Sequence, residues 1–431
     1  MTGAPGLSLL VHRPGEPPVH RCAGVAHIET GTPIGPDTAF NVGSVAKQIT
    51  AHLAVLADRD ALLGLSRAAA DVLPQLKVPG VTITDLITHH AGVRDAESLL
   101  SLAGFRDLDH YTAADLLALA YRQDQRAVPA GRFLYSNTGY LLLARILETA
   151  HGTDLRTIAD DRLFAPLGMT GTVFKDDPRR VIPGAASSYR PAAGAGWEHT
   201  EQPVALPGPG SLWSTAGDLD RWLGHLHHQW LTCGTSLPGT QVPYRASDHP
   251  PDVYGPGLYA DHQGATAAVF HFGHEHGFSA ATYLNRAGLR VVTLSNHAGT
   301  GAEHIAAAIV SQLRRDPAAD LGAVLARLAT ASSTPTALPA AEPDNGGGDQ
   351  PHTMIGVFAC DQVPGSLRLS RSNGELYLWR RGTRDRLTRT EPTLYTSDSY
   401  VLTVPTADDP IDRFVLDLAR APGLLYRMRP H

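Results

Sequence analysis

Apolar and polar positions divide the chain into stretches of different period. Leu7-Ser8-Leu9-Leu10-Val11-His12, the turn pair Pro14-Gly15, and Val19 to His27 predict two strands joined by a tight turn. From Ser44 the period lengthens, with Ile49, Leu53 and Leu56 recurring at helical spacing. Residues Leu62 to Pro207 read as largely helical, with turns at Pro79-Gly80, Ala91-Gly92 and Pro129-Ala130-Gly131. Tyr140 to Ala150 is a strong helix, Leu143, Ile146 and Leu147 on one side and Gly152 just past its end. Ser214-Thr215 caps a helix from Ala216 to His227. Strand character returns at Ala265–Phe272, Phe278–Leu284 and Leu289–Ser295, and a helix from Glu303 to Leu313 follows. Strands at both ends with helices between predict one α/β (α+β) unit carrying a helical insertion.

Near Ala329 the composition shifts to Ala, Ser, Thr, Pro and Gly, including Gly346-Gly347-Gly348, which predicts a flexible linker. Beyond it, alternating segments (Leu367–Leu369, Leu376–Trp379, Tyr400–Val404, Arg413–Leu418, Leu424–Met428) separated by turn residues predict a small antiparallel barrel or sandwich. The expected organisation is a catalytic domain over 1–328, a linker over 329–352 and a β domain over 353–431.

A chain of 431 residues exceeds one compact core, which agrees with two domains. The net charge of -6 argues against a nucleic-acid partner. Cys22, Cys233 and Cys360 show no CxxC spacing, so neither a disulfide framework nor a zinc site is expected. No apolar run reaches the length of a membrane helix. Met1-Thr2-Gly3-Ala4-Pro5 lacks the basic and apolar regions of a secretory leader, which predicts a cytoplasmic protein, although a strand starting at Leu7 is also compatible with a trimmed start.

Chemistry concentrates in three runs. In the first, Ser44-Val45-Ala46-Lys47 places a hydroxyl at a helix mouth and an amine one turn along the same face. The bland reading is a capped helix start. Against it, the chain holds only three lysines (Lys47, Lys77, Lys175) among 36 basic residues, so Lys47 stands out. A lysine out of bulk water can take the proton of a serine nucleophile, and the backbone N–H of Ser44 can serve an oxyanion. The second run, Tyr135-Ser136-Asn137, leads into a helix. There Asn137 or Thr138 caps the helix and Tyr135 packs in the core, or Tyr135 acts as a base beside an ammonium and Asn137 orients Lys47 and a substrate amide. The third is His271-Phe272-Gly273-His274-Glu275-His276-Gly277-Phe278. His271 and Gly273 share a strand face, and Gly273 leaves room for close backbone approach. His274, Glu275 and His276 match metal ligands by type, but alternating residues on a strand-turn make a poor closed site, and no metal is expected. With 21 histidines, a local cluster is weak evidence of a site.

Ser-x-x-Lys, then Tyr-x-Asn, then His-x-Gly is the order of the serine β-lactamase and penicillin-binding-protein superfamily. The chain resembles its class C-like branch, which includes esterases, D-amino-acid peptidases and D,D-peptidases. Leu86-Ile87-Thr88-His89-His90-Ala91-Gly92, Ala165-Pro166-Leu167-Gly168-Met169 and Ser214-Thr215-Ala216-Gly217-Asp218-Leu219 add local likeness, over roughly residues 7 to 315. The resemblance implies a β-lactamase-like antiparallel sheet flanked by helices, and a C-terminal domain similar to the lipocalin-like domains of some relatives. It implies Ser44 as nucleophile, Lys47 and Tyr135 as a coupled proton pair, Asn137 and His271 as catalytic partners, and the N–H groups of Ser44 and His274 as the oxyanion hole. No cofactor is implied. His271 replaces the lysine of class C β-lactamases, which points away from a dedicated β-lactamase.

Among relatives expected inside the cell, the chain is most similar to penicillin-binding-protein-type thioesterases. That likeness implies a peptidyl thioester ending in a D-residue, a peptidyl carrier protein as partner, and release of a head-to-tail macrolactam in nonribosomal peptide biosynthesis. The alternative is a hydrolase of the same fold: an esterase, D-amino-acid peptidase or β-lactamase-like enzyme. A non-catalytic sensor or scaffold is the third reading, disfavoured by the intact Ser44, Lys47, Tyr135 and Asn137. Two further residues enter as substrate contacts: Trp213, which either lines the acyl pocket or sits in the core, and Arg427, which either reaches substrate from the last strand or is a solvated strand charge.

Overall fold

The computed structural model describes residues 3–105, 109–192, 196–200, 203–233, 237–238, 242–248, 252–261, 267–297, 299–331, 353–372, 375–380, 383–405 and 410–429. The expected linker lies outside these from residue 332 to 352, while residues 329–331 close the helix Leu321–Ala331. The described residues fall into two compact units: one built from Met1–Arg67, Leu86–Thr88 and Tyr140–Ala341, the other from Ala68–Asp85, His89–Gly139 and Glu342–His431. Part of the helical insertion therefore packs with the C-terminal strands.

The first unit centres on an eight-stranded antiparallel sheet. Its order is Arg245–Ala246, Val253–Tyr254, Tyr259–Asp261, Ala268–Glu275, Phe278–Asn285, Arg290–Ser295, Leu7–His12, Val19–Ala23. Both faces are covered, so its central strands read as apolar runs rather than clean alternation. Leu7, Leu9, Val11, Ala281 and Val291 bury one face against the helices Ala302–Arg315 and Leu321–Ala331. On the other face, Gln48 of the helix Ala46–Arg59 donates to Thr282 Oγ1 (2.7 Å) and accepts from Trp222 Nε1 (2.9 Å) of the helix Ala216–Thr232. This buried glutamine joins both helices to the strand that pairs with Ala268–Glu275.

Three local expectations need correction. The segment Val19 to His27 is two strands, Val19–Ala23 and Val25–His27, because Gly24 turns the chain at φ +80°. None of the described residues between 173 and 207 is helical: Val173–Phe174, Ser188–Pro191 and Trp197–Thr200 are short strands. The helix after the first motif begins at Ala46, behind a 3₁₀ turn over Gly43–Val45.

In the second unit, eight strands from Thr353–Cys360 to Ala421–Met428 form a closed antiparallel barrel, sealed by Phe358↔Met428 and Ala359↔Arg427. Closure removes the exposed edges of a small sheet. Phe358, Phe414 and Tyr426 pack ring to ring inside at 4.9 and 5.2 Å. The same unit holds the helices Ala96–Leu102 and Ala113–Ala120, the latter started by a Thr112/Asp115 capping box. Arg94, nearly fully buried, ties the barrel to this insertion. Its guanidinium donates to Pro422 O (2.7 Å), Gly423 O (3.2 Å) and Gln362 Oε1 (2.9 Å).

Candidate active site

The turn that carries Ser44 is shaped by its neighbours in sequence. Asn41, buried, accepts the Gly43 N–H on its side-chain oxygen (3.0 Å), and Val45 N–H returns to Val42 O (3.1 Å). Gly43 takes φ +49°, a conformation that disfavours a Cβ. Ser44 does not cap the helix. Its half-exposed hydroxyl instead accepts a 2.8 Å hydrogen bond from Lys47 Nζ. Lys47 is fully buried, donates also to Pro209 O (2.8 Å), and lies 5.6 Å over the Tyr140 ring.

Strand Ala268–Glu275 runs flush against this turn. A Cβ on Gly273 would sit 2.1 Å from Val42 O and 2.6 Å from Ser44 N, and one on Gly43 would sit 2.9 Å from His274 N. Gly273 thus makes room for the serine turn itself rather than for a substrate backbone. Packing this tight brings the backbone of His274 beside the Ser44 N–H, the arrangement an oxyanion hole needs. The opposite side of Lys47 is equally close. The turn between Val253–Tyr254 and Tyr259–Asp261 rests on the lysine's own backbone, since a Cβ on Gly257 would lie 2.4 Å from Lys47 O.

His271 is buried and held in one tautomer. Its Nδ1–H donates to Phe272 O (2.7 Å), so Nε2 is an acceptor and receives the Tyr254 hydroxyl (3.1 Å). Burial, reinforced by the Lys47 charge, pushes the imidazole down to about 3. At neutral pH it therefore acts as a neutral, oriented group.

The residues of the third run diverge. His274 is exposed and its Nε2 lies 3.2 Å from Glu303 Oε2. Glu275 accepts from Ser211 N and Oγ. The His276 carbonyl accepts from Ser188 and Thr200.

In the second unit, Tyr135 is half-buried between an imidazole and a guanidinium. The His89 ring lies 4.2 Å away, and the Arg420 guanidinium lies 4.8 Å above the tyrosine ring. His89, at φ +59°, accepts Leu134 N–H on its carbonyl (2.8 Å) and Ser136 N–H on Nδ1 (3.2 Å), fixing the loop before the helix Asn137–His151. Ser136 Oγ accepts the Gly139 N–H (3.2 Å), so the cap is Ser136 rather than Asn137 or Thr138. Asn137 Nδ2 donates to Glu97 Oε2 (2.8 Å), and its N–H donates to Asp95 Oδ2 (2.9 Å). Arg420 arrives on the barrel turn between Arg413–Leu418 and Ala421–Met428, and its carbonyl accepts from Asp95 N–H (2.9 Å).

The Beta-lactamase family model matches residues 1–314. The chain belongs to this family. Penicillin-binding protein 4 of Amycolatopsis lactamdurans is 31% identical over 264 residues, 56% of this chain and 64% of that protein. A D-aminopeptidase of Gluconobacter oxydans is 24% identical over 303 residues, 68% of this chain and 56% of that protein. The chain thus spans less than two thirds of either relative. The octameric penicillin-binding protein homologue of Pyrococcus abyssi aligns over 98% of this chain and 96% of its own, with TM-score 0.62 at 18% identity, a likeness of fold that takes in the barrel.

Within this beta-lactamase-family chain, the first unit brings together Ser44, Lys47, Gly273, His274 and His271, and the second presents Tyr135 and Asn137. Trp213 is core: 5% exposed, between Phe40–Asn41 and Val173–Phe174, with its ring edge-on to Phe278. Arg427 is exposed and pairs across strands with Arg413 and Ala359. The barrel cation that meets a motif residue is Arg420, seven positions earlier. Sequence reasoning missed Arg420, Tyr254, Pro209 and Gly257. Two of these left a signal, both as turns: Pro209 in the Pro-Gly-Pro-Gly at 207–210 and Gly257 in the Gly-Pro-Gly at 255–257. No helix among the described residues is long and apolar enough to cross a membrane.

Proposed function

We propose that this chain is a serine acyltransferase that accepts a peptidyl thioester ending in a D-residue and releases it as a head-to-tail macrolactam. The supporting observation for the acyl-enzyme step is the buried Lys47 Nζ bonded at 2.8 Å to the half-exposed Ser44 Oγ. Ser44 Oγ attacks the thioester carbonyl while the Lys47–Tyr135 pair takes its proton. The oxyanion is received by the N–H groups of Ser44 and His274. The C–S bond breaks, the thiolate takes up a proton, and the peptide remains as an ester on Ser44. The peptide's own N-terminal amine then attacks that ester, the new C–N bond replaces the C–O bond, and the amine's lost proton returns to the serine oxygen through the same pair. Arg420, lying over the Tyr135 ring, would stabilise negative charge as it develops on the phenol oxygen. Asn137, tethered to Glu97, would orient the substrate amide. The donor would be a peptidyl carrier protein in the cytoplasm, and the D-configured acyl residue agrees with the relative named D-aminopeptidase.

That same relative favours a second reading, in which water resolves the acyl-enzyme and the chain is a D-specific hydrolase. The two are separated with synthetic peptidyl thioesters of D- and L-configured C-terminal residues. Mostly cyclic product from the D-form supports the transferase. Linear acid alone from the D-form supports the hydrolase, and equal use of both configurations overturns the D-residue assignment.

A further inference from the structure

Lys47 Nζ is held by a backbone carbonyl, that of Pro209, and a carbonyl is only as well placed as its loop. The loop over residues 207–211 reads Pro-Gly-Pro-Gly-Ser. It packs so closely that a side chain at Gly208 would run into the helix Asn137–His151 and one at Gly210 would meet the Glu275 carboxylate. A Cβ on Gly208 would lie 2.7 Å from Ala144 Cβ, and one on Gly210 would lie 2.6 Å from Glu275 Oε2. Thr50, one turn beyond Lys47 on the same helix, donates to Gly208 O (2.9 Å). The loop ends at Ser211, a buried non-glycine residue at φ +52°. That conformation costs on the order of 1 kcal/mol and persists only where its surroundings over-determine it.

The determinants are all visible. Ser211 N donates to Glu275 Oε2 (3.1 Å), Ser211 Oγ donates to Glu275 Oε1 (3.3 Å) and accepts from Leu206 N (2.8 Å), and Ser211 O accepts from Lys175 N (2.8 Å). A carboxylate suits this place because both of its oxygens accept and the bonds are charge-assisted. Glu275 sits on the same strand face as His271 and Gly273. We propose that Glu275 is a positioning residue: by gripping Ser211 it fixes the loop that keeps the Pro209 carbonyl on Lys47 Nζ, and so places the amine on Ser44 Oγ. One strand would then set the oxyanion side through Gly273 and His274 and the proton-transfer side through Glu275. The inference rests on Ser44 being the nucleophile, as in the proposed function, but not on which acyl group or acceptor is used.

The test is the second-order rate at which a fluorophosphonate probe labels Ser44, followed by intact mass. Wild type and the variants Glu275→Gln, Glu275→Ala and Ser211→Gly are compared, with urea unfolding of each. Labelling forms the serine O–P bond and expels fluoride, and it needs the serine proton removed but no particular peptide. No labelling of the wild type would overturn the nucleophile assignment itself. Given wild-type labelling, Glu275→Ala is expected to label about 10- to 100-fold more slowly at an unchanged probe-binding constant. Glu275→Gln, which keeps an acceptor for Ser211 N, is expected to recover most of that rate. Ser211→Gly, which relaxes the strain and keeps the backbone bond, is expected to label within about threefold of wild type. Glu275→Ala labelling at the wild-type rate would overturn the proposal. So would Glu275→Gln as slow as Glu275→Ala, because charge opposite Lys175 rather than grip on Ser211 would then be the cause. Should Glu275→Ala fail to fold, the Glu275→Gln rate alone decides: above about a third of wild type supports positioning, and a tenfold loss contradicts it.

Discussion

At the residue scale, the proposed chemistry turns on a lysine that is wholly buried yet bonded to an accessible hydroxyl. Lys47→Ala is expected to lower acylation by at least about 100-fold with little change in substrate KM, because the lost contact acts on proton transfer. Tyr135→Phe is expected to slow acyl-enzyme formation strongly, and a fully active variant would remove the phenol from the mechanism. His271 gives a sharper test. Held near 3, it cannot produce an acid limb at pH 5–7 in the wild-type profile. The Tyr254 hydroxyl bonds the unprotonated Nε2, so removing it makes protonation of the imidazole easier. Tyr254→Phe should move the His271 titration, followed by NMR, upward from about 3, and an unmoved titration would contradict the tautomer lock. The residue types that announce themselves along the chain (serine, lysine, tyrosine, histidine at fixed spacing) were legible because their chemistry resides in side chains. Pro209 was not, because it contributes a carbonyl, a group every residue owns.

At the element scale, close backbone approach does the positioning. A methyl at Gly273 meets Val42 O at 2.1 Å and at Gly257 meets Lys47 O at 2.4 Å, with Gly257 also at φ +73°. Gly273→Ala and Gly257→Ala are each expected to cost about 2 kcal/mol in urea unfolding and to impair Ser44 labelling more than any surface substitution. The helices Ala46–Arg59 and Ala216–Thr232 also enclose His52, whose ring meets Trp222 at 5.1 Å and His225 at 5.6 Å and whose Nε2 has no hydrogen-bond partner among the described residues. Burial pushes this imidazole, like His271, to about 3 from 6.5. Unfolding then takes up protons between pH 6.5 and 3, so stability is complete above pH 6.5 and falls on acidification, by about 2 kcal/mol per group at pH 5. His52→Leu should flatten that dependence by about one proton. Arg245–Ala246, Val253–Tyr254 and Tyr259–Asp261, of two or three residues each, are too short to show a period, but the other five strands of the sheet and the first-motif helix were readable from it. The three strands Thr353–Cys360, Thr383–Glu391 and Leu394–Thr396 were not. Among the side chains described in Thr383–Glu391 just Leu387 is buried, and the rest of the segment is polar, so its barrel pairing, not its pattern, makes it a strand.

At the scale of the whole molecule, the order of domains along the chain is not the order of packing. The insertion carrying Tyr135 and Asn137 is bound to the barrel, and Arg94 carries much of that bond. Truncating it leaves two part-buried carbonyls and a buried amide oxygen without their donor, about 2–3 kcal/mol. Arg94→Ala should therefore raise hydrogen exchange in residues 420–423 and slow turnover through Arg420, while Arg427→Ala, on an exposed strand position, should change neither. No sequence pattern signalled this grouping, because it depends on carbonyls of a turn 328 residues away in sequence. The central claim, covalent catalysis at Ser44, is tested most directly by rapid quench of the enzyme with a D-terminated peptidyl thioester, followed by intact mass and peptide mapping. One peptidyl adduct per chain is expected, on the peptide containing Ser44, formed as fast as turnover and absent in Ser44→Ala. Turnover without an adduct at any quench time, or an undiminished adduct in Ser44→Ala, would contradict it.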